Sequence, residues 1–266
     1  MVEPAGGAAD AARKARAIDN TMYVGGGSLG FRLATAFVRF AERLNQRYSA
    51  VGNPPVYDNA TFPWAAEVAH DWQPMRAELD RLLTRKDEIP GFHEVAAGIG
   101  AISNDRNWKS FIFCGYGVTS ENAIRACPET WRSLQKIPGL KSALFSIFEP
   151  GKHLPPHRGP YNGVLRFHLG LIVPDEPEKI GIRVGDTLCH WHEGEALIFD
   201  DAFDHEAWNH SDKVRVVLFV DFVRPTRFPA NLVNWLALHL APLTPFLREG
   251  YVAQKRWEKA FFGKRQ

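Results

Sequence analysis

The stretch ALFSIFEPGKHLPPHRGPYNGVLRFHLGLIVPDEPEKIGIRVGDTLCHWHEGEALIFDDAFDHEAWNHSDKVRVVLFVDFV, residues 143–223, decides the fold. Within it ALFSIF, VLRFHLGLIV, IGIRV, TLCHWH, EALIFD and VRVVLFVDFV are short β-rich runs parted by Pro, Gly and Asp. Short strands at such close spacing predict a sandwich or barrel. Before this block the texture is helical. Phe31 to Tyr48 repeats apolar residues at the helical period, and Trp72, Met75, Leu79, Leu82 and Leu83 do the same. Pro128 to Gln135 is a shorter helix candidate with proline in its first turn. The chain turns helical again after Pro225. The expected architecture is α+β, a jelly-roll sandwich flanked by helices at both ends.

Four segments follow: a mobile Ala/Gly-rich start over 1–27, a helical and mixed region over 28–140, the β core over 141–225, and a basic and apolar helical extension over 226–266. With 266 residues and 45% hydrophobic content, the chain can bury a core. A formal charge of +2 leaves no electrostatic footprint for nucleic acid. Three cysteines without a CxxC form no disulfide framework, and a reducing, cytoplasmic setting is expected. The start has an early acid and no apolar run of signal type. The longest nearly uncharged run, 232–247, falls short of the ~18 residues of a membrane span.

The β block holds His153, His157, His168, His190, His192, His205 and His210, seven of the ten histidines. Histidine is the commonest metal-binding side chain. His157 lies in a turn and His205 just before a strand, so loops or strand edges from opposite sheets can bring both to one mouth of the barrel. Ordinary capping and surface histidines are the plain alternative. Arg166 and His168 stand two apart on one strand and share a face. Arg215 sits in an almost wholly apolar strand, where a guanidinium needs an anion. That anion is either an internal acid such as Asp221 or a ligand carboxylate held bidentately. Gly25, Gly27 and Gly30 spell GxGxxG, but no βαβ alternation follows, so the motif reads as a hinge.

LFSIFEPGKHLPPHRGPYNGVLRFHLGLIVP and WHEGEALIFDDAFDHEAWNHSDKVRVVLFVDFVRP together resemble the aspartyl/asparaginyl β-hydroxylase family, which also includes lipid A and ornithine-lipid hydroxylases. The likeness runs over about 105–225, with NWKSF and CPETWRSLQKIPG resembling the upstream segment. It implies a double-stranded β-helix core of cupin-like type and an iron(II)- and 2-oxoglutarate-dependent dioxygenase that hydroxylates an unactivated C–H bond. By position, His157 and His205 match the iron ligands. Arg215 matches the arginine for the distal carboxylate of 2-oxoglutarate, Ser146 a serine on the same acid, and Arg166 and His168 an arginine and a histidine of that pocket. Non-haem iron oxygenases commonly add a carboxylate in an HxD spacing. Here that position is Gly159, which the resemblance ties to the β-hydroxylase branch, whereas the lipid-type members tend to carry aspartate. Water then fills the coordination position, or Asp200, Asp201, Asp204 or Glu206 replaces the acid.

That branch implies an aspartyl or asparaginyl side chain in a peptide or small molecule, with Arg158 and Arg106 as candidate cationic partners. The 226–266 extension points elsewhere. Trp235 and several leucines lie among Arg224, Arg227, Arg248, Lys255 and Arg256, a composition suited to peripheral contact with an anionic membrane. On that reading the substrate is an acyl chain. A helix covering the sandwich or a dimer contact explains the same composition. A metal-binding module without turnover and a halogenating variant are the remaining readings.

Overall fold

The computed structural model describes residues 29–96, 99–243 and 245–263. The expected mobile start and two of the three motif glycines, Gly25 and Gly27, lie outside the described residues. Helix α1 spans Leu29–Arg47, strand β1 Val56–Tyr57, α2 Trp64–His70, α3 Trp72–Leu83 and α4 Phe92–Val95. Next come β2 Trp108–Gly115, β3 Val118–Thr119, α5 Glu121–Ala126 and α6 Pro128–Leu134. The β block holds β4 Leu140–Phe148, β5 Lys152–His157, β6 Val164–Ile172, β7 Ile180–Val184, β8 Thr187–Cys189, β9 Ala196–Phe199, β10 His205–Asn209 and β11 Arg215–Val223. Helices α7, Ala230–Leu240, and α8, Pro245–Phe262, follow.

Two antiparallel sheets form the core. The larger runs β1-β9-β6-β11-β4-β2-β3 and the smaller β5-β10-β7-β8. This is the expected α+β, cupin-like sandwich with flanking helices. One boundary changes: the core is not confined to 141–225, because β1, β2 and β3 extend the larger sheet from the preceding region. β2 hydrogen-bonds along β4 and buries both of its faces, which makes it integral to the sheet.

Side-chain alternation explains the long apolar runs. On β11, Val216, Leu218, Val220 and Phe222 join the cluster under the helices, while Val217 and Phe219 join the cluster between the sheets. Both faces of this strand are covered, so its sequence reads as continuously apolar. The polar exceptions, Arg215 and Asp221, are in phase with Val217 and Phe219 and face the interior. The same phase puts Ser146 of β4 with Leu144 and Phe148, also interior residues.

On the far side of the large sheet, α3 buries Met75, Glu78, Leu79 and Leu82, one helical stripe. Glu78 accepts hydrogen bonds from the Glu129 and Thr130 amides and from the Thr130 hydroxyl, so its carboxylate caps α6.

Candidate functional site

His157 ends β5 and His205 begins β10, and the two are register partners in the smaller sheet. They are therefore neighbours on one sheet, not contributions from opposite sheets as expected. His157 belongs to a strand rather than a turn. Directly paired residues of an antiparallel ladder project their side chains the same way, and the ring centroids stand 4.2 Å apart. Each ring is oriented by the backbone carbonyl two residues before it. His157 Nδ1 lies 2.8 Å from the Pro155 carbonyl, and His205 Nδ1 lies 2.9 Å from that of Phe203. A carbonyl only accepts, so Nδ1 carries the hydrogen and Nε2 keeps its lone pair. Burial lowers the pKa of His157 to about 4 and that of His205 well below its ordinary value. Both rings are thus neutral near pH 7, as metal ligation requires.

Four acids were candidates to replace the missing HxD carboxylate, and each is engaged by an arginine. Asp200 pairs with Arg224, Asp201 with Arg166 at 2.8 Å, and Asp204 and Glu206 with Arg183 at 2.6 and 2.7 Å. Among the described residues no group of three His, Cys, Asp or Glu side chains is placed to hold a metal. Gly159 has a steric reason. Its amide donates to the Asp201 carbonyl at 2.6 Å, and a Cβ at this position would run into the Asp201 carboxylate. Burial raises the Asp201 pKa, against the pull of Arg166. Asp201 therefore occupies the space of a residue-159 side chain.

Arg215 is 1% exposed and has no carboxylate partner among the described residues. Its guanidinium lies 3.7 Å over the Phe148 ring and 4.4 Å over Trp191, and Nη1 makes one long bond of 3.5 Å to the Ser146 carbonyl. Nε has no acceptor, and burial pulls the pKa down to about 9. Asp221, the internal acid considered for it, instead binds Arg166 at 2.9 Å and the Ser142 hydroxyl at 2.8 Å. Arg166, between Asp201 and Asp221, already has its charge balanced by the fold. It therefore brings hydrogen-bonding capacity to the pocket and no unbalanced positive charge.

Two further donors face the same interior. His168 Nδ1 accepts from Trp191 Nε1 at 3.3 Å, so the neutral ring carries its hydrogen on Nε2, which is buried without a partner. Ser146 Oγ accepts from Trp108 Nε1 at 3.0 Å and keeps its own hydrogen to donate. The donor set is thus two imidazole lone pairs, a guanidinium lacking an anion, an imidazole N–H and a hydroxyl. This fits a divalent metal with a dicarboxylate beside it.

A cavity of about 360 Å³ meets this interior at His157, Arg166, Trp108, Leu144 and Phe219, while Ser146, His168, His205 and Arg215 are not among its lining residues. His157, Gly159, Arg166 and Asp201 line it, Phe92, Val95, Ile99, Ile112, Leu144 and Phe219 contribute apolar wall, and Arg248 and Lys255 of α8 are also among its lining residues. His157 belongs to both the ring pair and the cavity. Arg158 lines the cavity but is tied to Glu42 of α1 at 3.0 Å. Arg106 is not among the lining residues; it binds Glu94 at 3.3 Å and two backbone carbonyls, which removes it from the site. Sequence reasoning missed Trp191, Phe148 and Trp108. Indole and phenyl groups carry no charge signal, and only their position beside Arg215, His168 and Ser146 reveals their part.

Residues 69–225 match the family model described as Aspartyl/Asparaginyl beta-hydroxylase. An ornithine lipid ester-linked acyl 2-hydroxylase from Rhizobium tropici is 58% identical over 231 residues, which is 87% of this chain and 82% of that protein. The human aspartyl/asparaginyl beta-hydroxylase is 38% identical over 128 residues, 46% of this chain and 17% of its own length. Among solved structures, a cupin 2 conserved barrel domain protein from Salinispora arenicola has a TM-score of 0.29 at 9% identity, covering 46% of this chain and 80% of its own.

Proposed function

Because the chain belongs to the aspartyl/asparaginyl β-hydroxylase family, we propose that it is an iron(II)- and 2-oxoglutarate-dependent dioxygenase that hydroxylates the acyl chain of an amino-acid lipid of the ornithine-lipid kind. The observation that carries the chemistry is Arg215, a buried cation that the fold leaves without an anion, in the same interior as the paired His157 and His205 rings, whose Nδ1 atoms face backbone carbonyls and leave Nε2 for a metal. His157 and His205 would hold the iron. Arg215 would bind the far carboxylate of 2-oxoglutarate with Ser146 as a second donor, and His168 Nε2–H would donate to the same acid. When bound, iron with 2-oxoglutarate and dioxygen supplies the oxidation that turns a C–H into C–OH while the acid becomes succinate and carbon dioxide. The apolar wall keeps water from the reacting carbon.

The acyl-chain reading rests on two observations. The cavity lining as a whole is largely apolar, which suits a hydrocarbon chain better than a charged side chain. A relative that matches 87% of this chain is a lipid hydroxylase. These outweigh the ranking that Gly159 suggested, since the glycine is accounted for by the Asp201 carboxylate packed against it. The second reading, hydroxylation of an aspartyl or asparaginyl side chain, is favoured by the human relative and needs a cation in the cavity. Arg248 lines the cavity without a carboxylate partner among the described residues, whereas Lys255 lies 3.7 Å from Glu258. The test is incubation with iron(II), 2-oxoglutarate and ascorbate, together with either an ornithine lipid or an Asp-containing peptide. Succinate release coupled to one added oxygen on the ester-linked acyl chain is expected. Oxidation of the peptide alone would move the assignment to the second reading, and no succinate with either would reject the enzyme.

A further inference from the structure

Two helices on one side of the molecule are anchored to the same short segment, and both expose apolar residues. Asn45 of α1 donates to Tyr161 and Asn162, each at 3.1 Å, and the Asn162 side chain donates to the Glu42 carbonyl. Asn234 of α7 accepts from the Tyr161 hydroxyl at 2.9 Å and donates to the Gly163 carbonyl at 2.9 Å. The helices also pack against each other. Their buried faces, Ala41 and Asn45 on α1 and Ala230, Asn234 and Leu238 on α7, are therefore accounted for.

The opposite faces are not. On α1, Leu29, Leu33, Ala36 and Phe40 recur at steps of four, three and four, a single stripe, and all are exposed. On α7, Leu232, Trp235, Leu236 and Leu240 are exposed, with Trp235 at 54%, and Phe228 just before the helix stands at 74%. Contiguous apolar surface of this kind marks an interaction site. Beside the α1 stripe, Arg32, Arg39 and Arg43 line a groove together with Thr35 and Ala36. None of these three arginines has a carboxylate partner among the described residues.

We propose that α1 and α7 form a docking platform for the surface of an anionic phospholipid bilayer. Apolar side chains enter the interface, and the arginine row meets lipid phosphates. Charge decides the occupant. A second copy of this chain would place the arginine row of α1 against a face that offers no acidic row in return. The exposed Trp235 suits the boundary between headgroups and acyl chains. Helix α1 also reaches a residue of the cavity lining, since Glu42 pairs with Arg158. The inference goes beyond the hydroxylase reading and does not depend on it, since membrane binding is read without turnover.

The test is flotation of the full chain with vesicles of phosphatidylcholine alone or mixed with phosphatidylglycerol, at low and high salt. Binding is expected to the mixed vesicles, to weaken with salt, and to be poor on phosphatidylcholine alone. Replacing Arg32, Arg39 and Arg43 with Gln should weaken it by about fivefold per arginine, on the order of a hundredfold together. Leu33→Glu with Phe40→Glu, or Trp235→Glu, should abolish it while leaving the melting temperature unchanged. Equal binding to both vesicle types, binding indifferent to these variants, or no vesicle binding at all overturns the proposal. So does a dimer in light scattering that Trp235→Glu dissolves, which would make this face a contact between copies.

Discussion

Replacing Arg215 with methionine is expected to stabilise the ligand-free protein while removing its hold on a diacid. Burial lowers the guanidinium pKa from 12.5 to about 9. At about 1.4 kcal/mol per pH unit, keeping that charge inside costs the fold on the order of 5 kcal/mol. The Phe148 and Trp191 faces return roughly 1–2 kcal/mol each, and the 3.5 Å bond to the Ser146 carbonyl returns little. The balance is a penalty of about 1–3 kcal/mol, which a methionine of similar reach escapes. At about 2–4 °C per kcal/mol for a chain of this size, the variant should melt roughly 5 °C higher. Its affinity for 2-oxoglutarate should fall by about 2–5 kcal/mol, at least thirtyfold in Kd. Scanning fluorimetry with and without 2-oxoglutarate reads both effects: the acid should raise the melting temperature of the parent protein and not that of the variant. A variant that melts several degrees lower and still responds fully to the acid would show the guanidinium to be structural, refuting its role as an anchor.

His157→Ala and His205→Ala should each weaken metal binding by on the order of a hundredfold or more and abolish succinate release; titration calorimetry with manganese checks the first, and normal affinity in either contradicts the pairing. His157, neutral in the fold at about 4 against an ordinary 6.5, contributes stability that is present above pH 6.5 and lost as pH falls through 4. The loss amounts to about 3 kcal/mol. Urea unfolding of the metal-free protein between pH 7 and 4 should therefore show a smaller loss in His157→Asn, and an equal loss would contradict the burial argument. Gly159→Ala should destabilise by roughly 1–3 kcal/mol as its Cβ displaces the Asp201 carboxylate; unchanged urea stability would refute that packing. Ile112→Trp narrows the cavity and should reduce turnover of long-chain relative to short-chain lipids by on the order of tenfold. An unaltered chain preference would exclude this wall from the substrate path.

Strands with both faces covered were the legible part of the fold. β4, β6 and β11 read as apolar runs because helices cover one side and the smaller sheet the other. Their few polar residues, Ser146, Arg166, His168 and Arg215, stood out against that background and proved to share the interior face. β5 was hidden because KHLPPH carries two prolines and reads as a turn. Its place at the edge of the smaller sheet tolerates residues that cannot donate to the ladder, and the register is irregular opposite them. That is also why the two histidines were expected from opposite sheets. The interior neutralisation was equally hidden. Whether Asp221 serves Arg215 or Arg166 depends on strand order: Asp221 and Arg166 are register partners across β11 and β6. Asp201 could be seen as an acid near the site, but not as the group that requires glycine at position 159.

Crystals soaked with manganese and N-oxalylglycine, a close analogue of 2-oxoglutarate, give the most direct measurement. The predicted map has one anomalous peak within bonding distance of Nε2 of both His157 and His205, and a ligand carboxylate on the Arg215 guanidinium. Metal bound elsewhere, or a diacid held away from residue 215, would contradict the central claim.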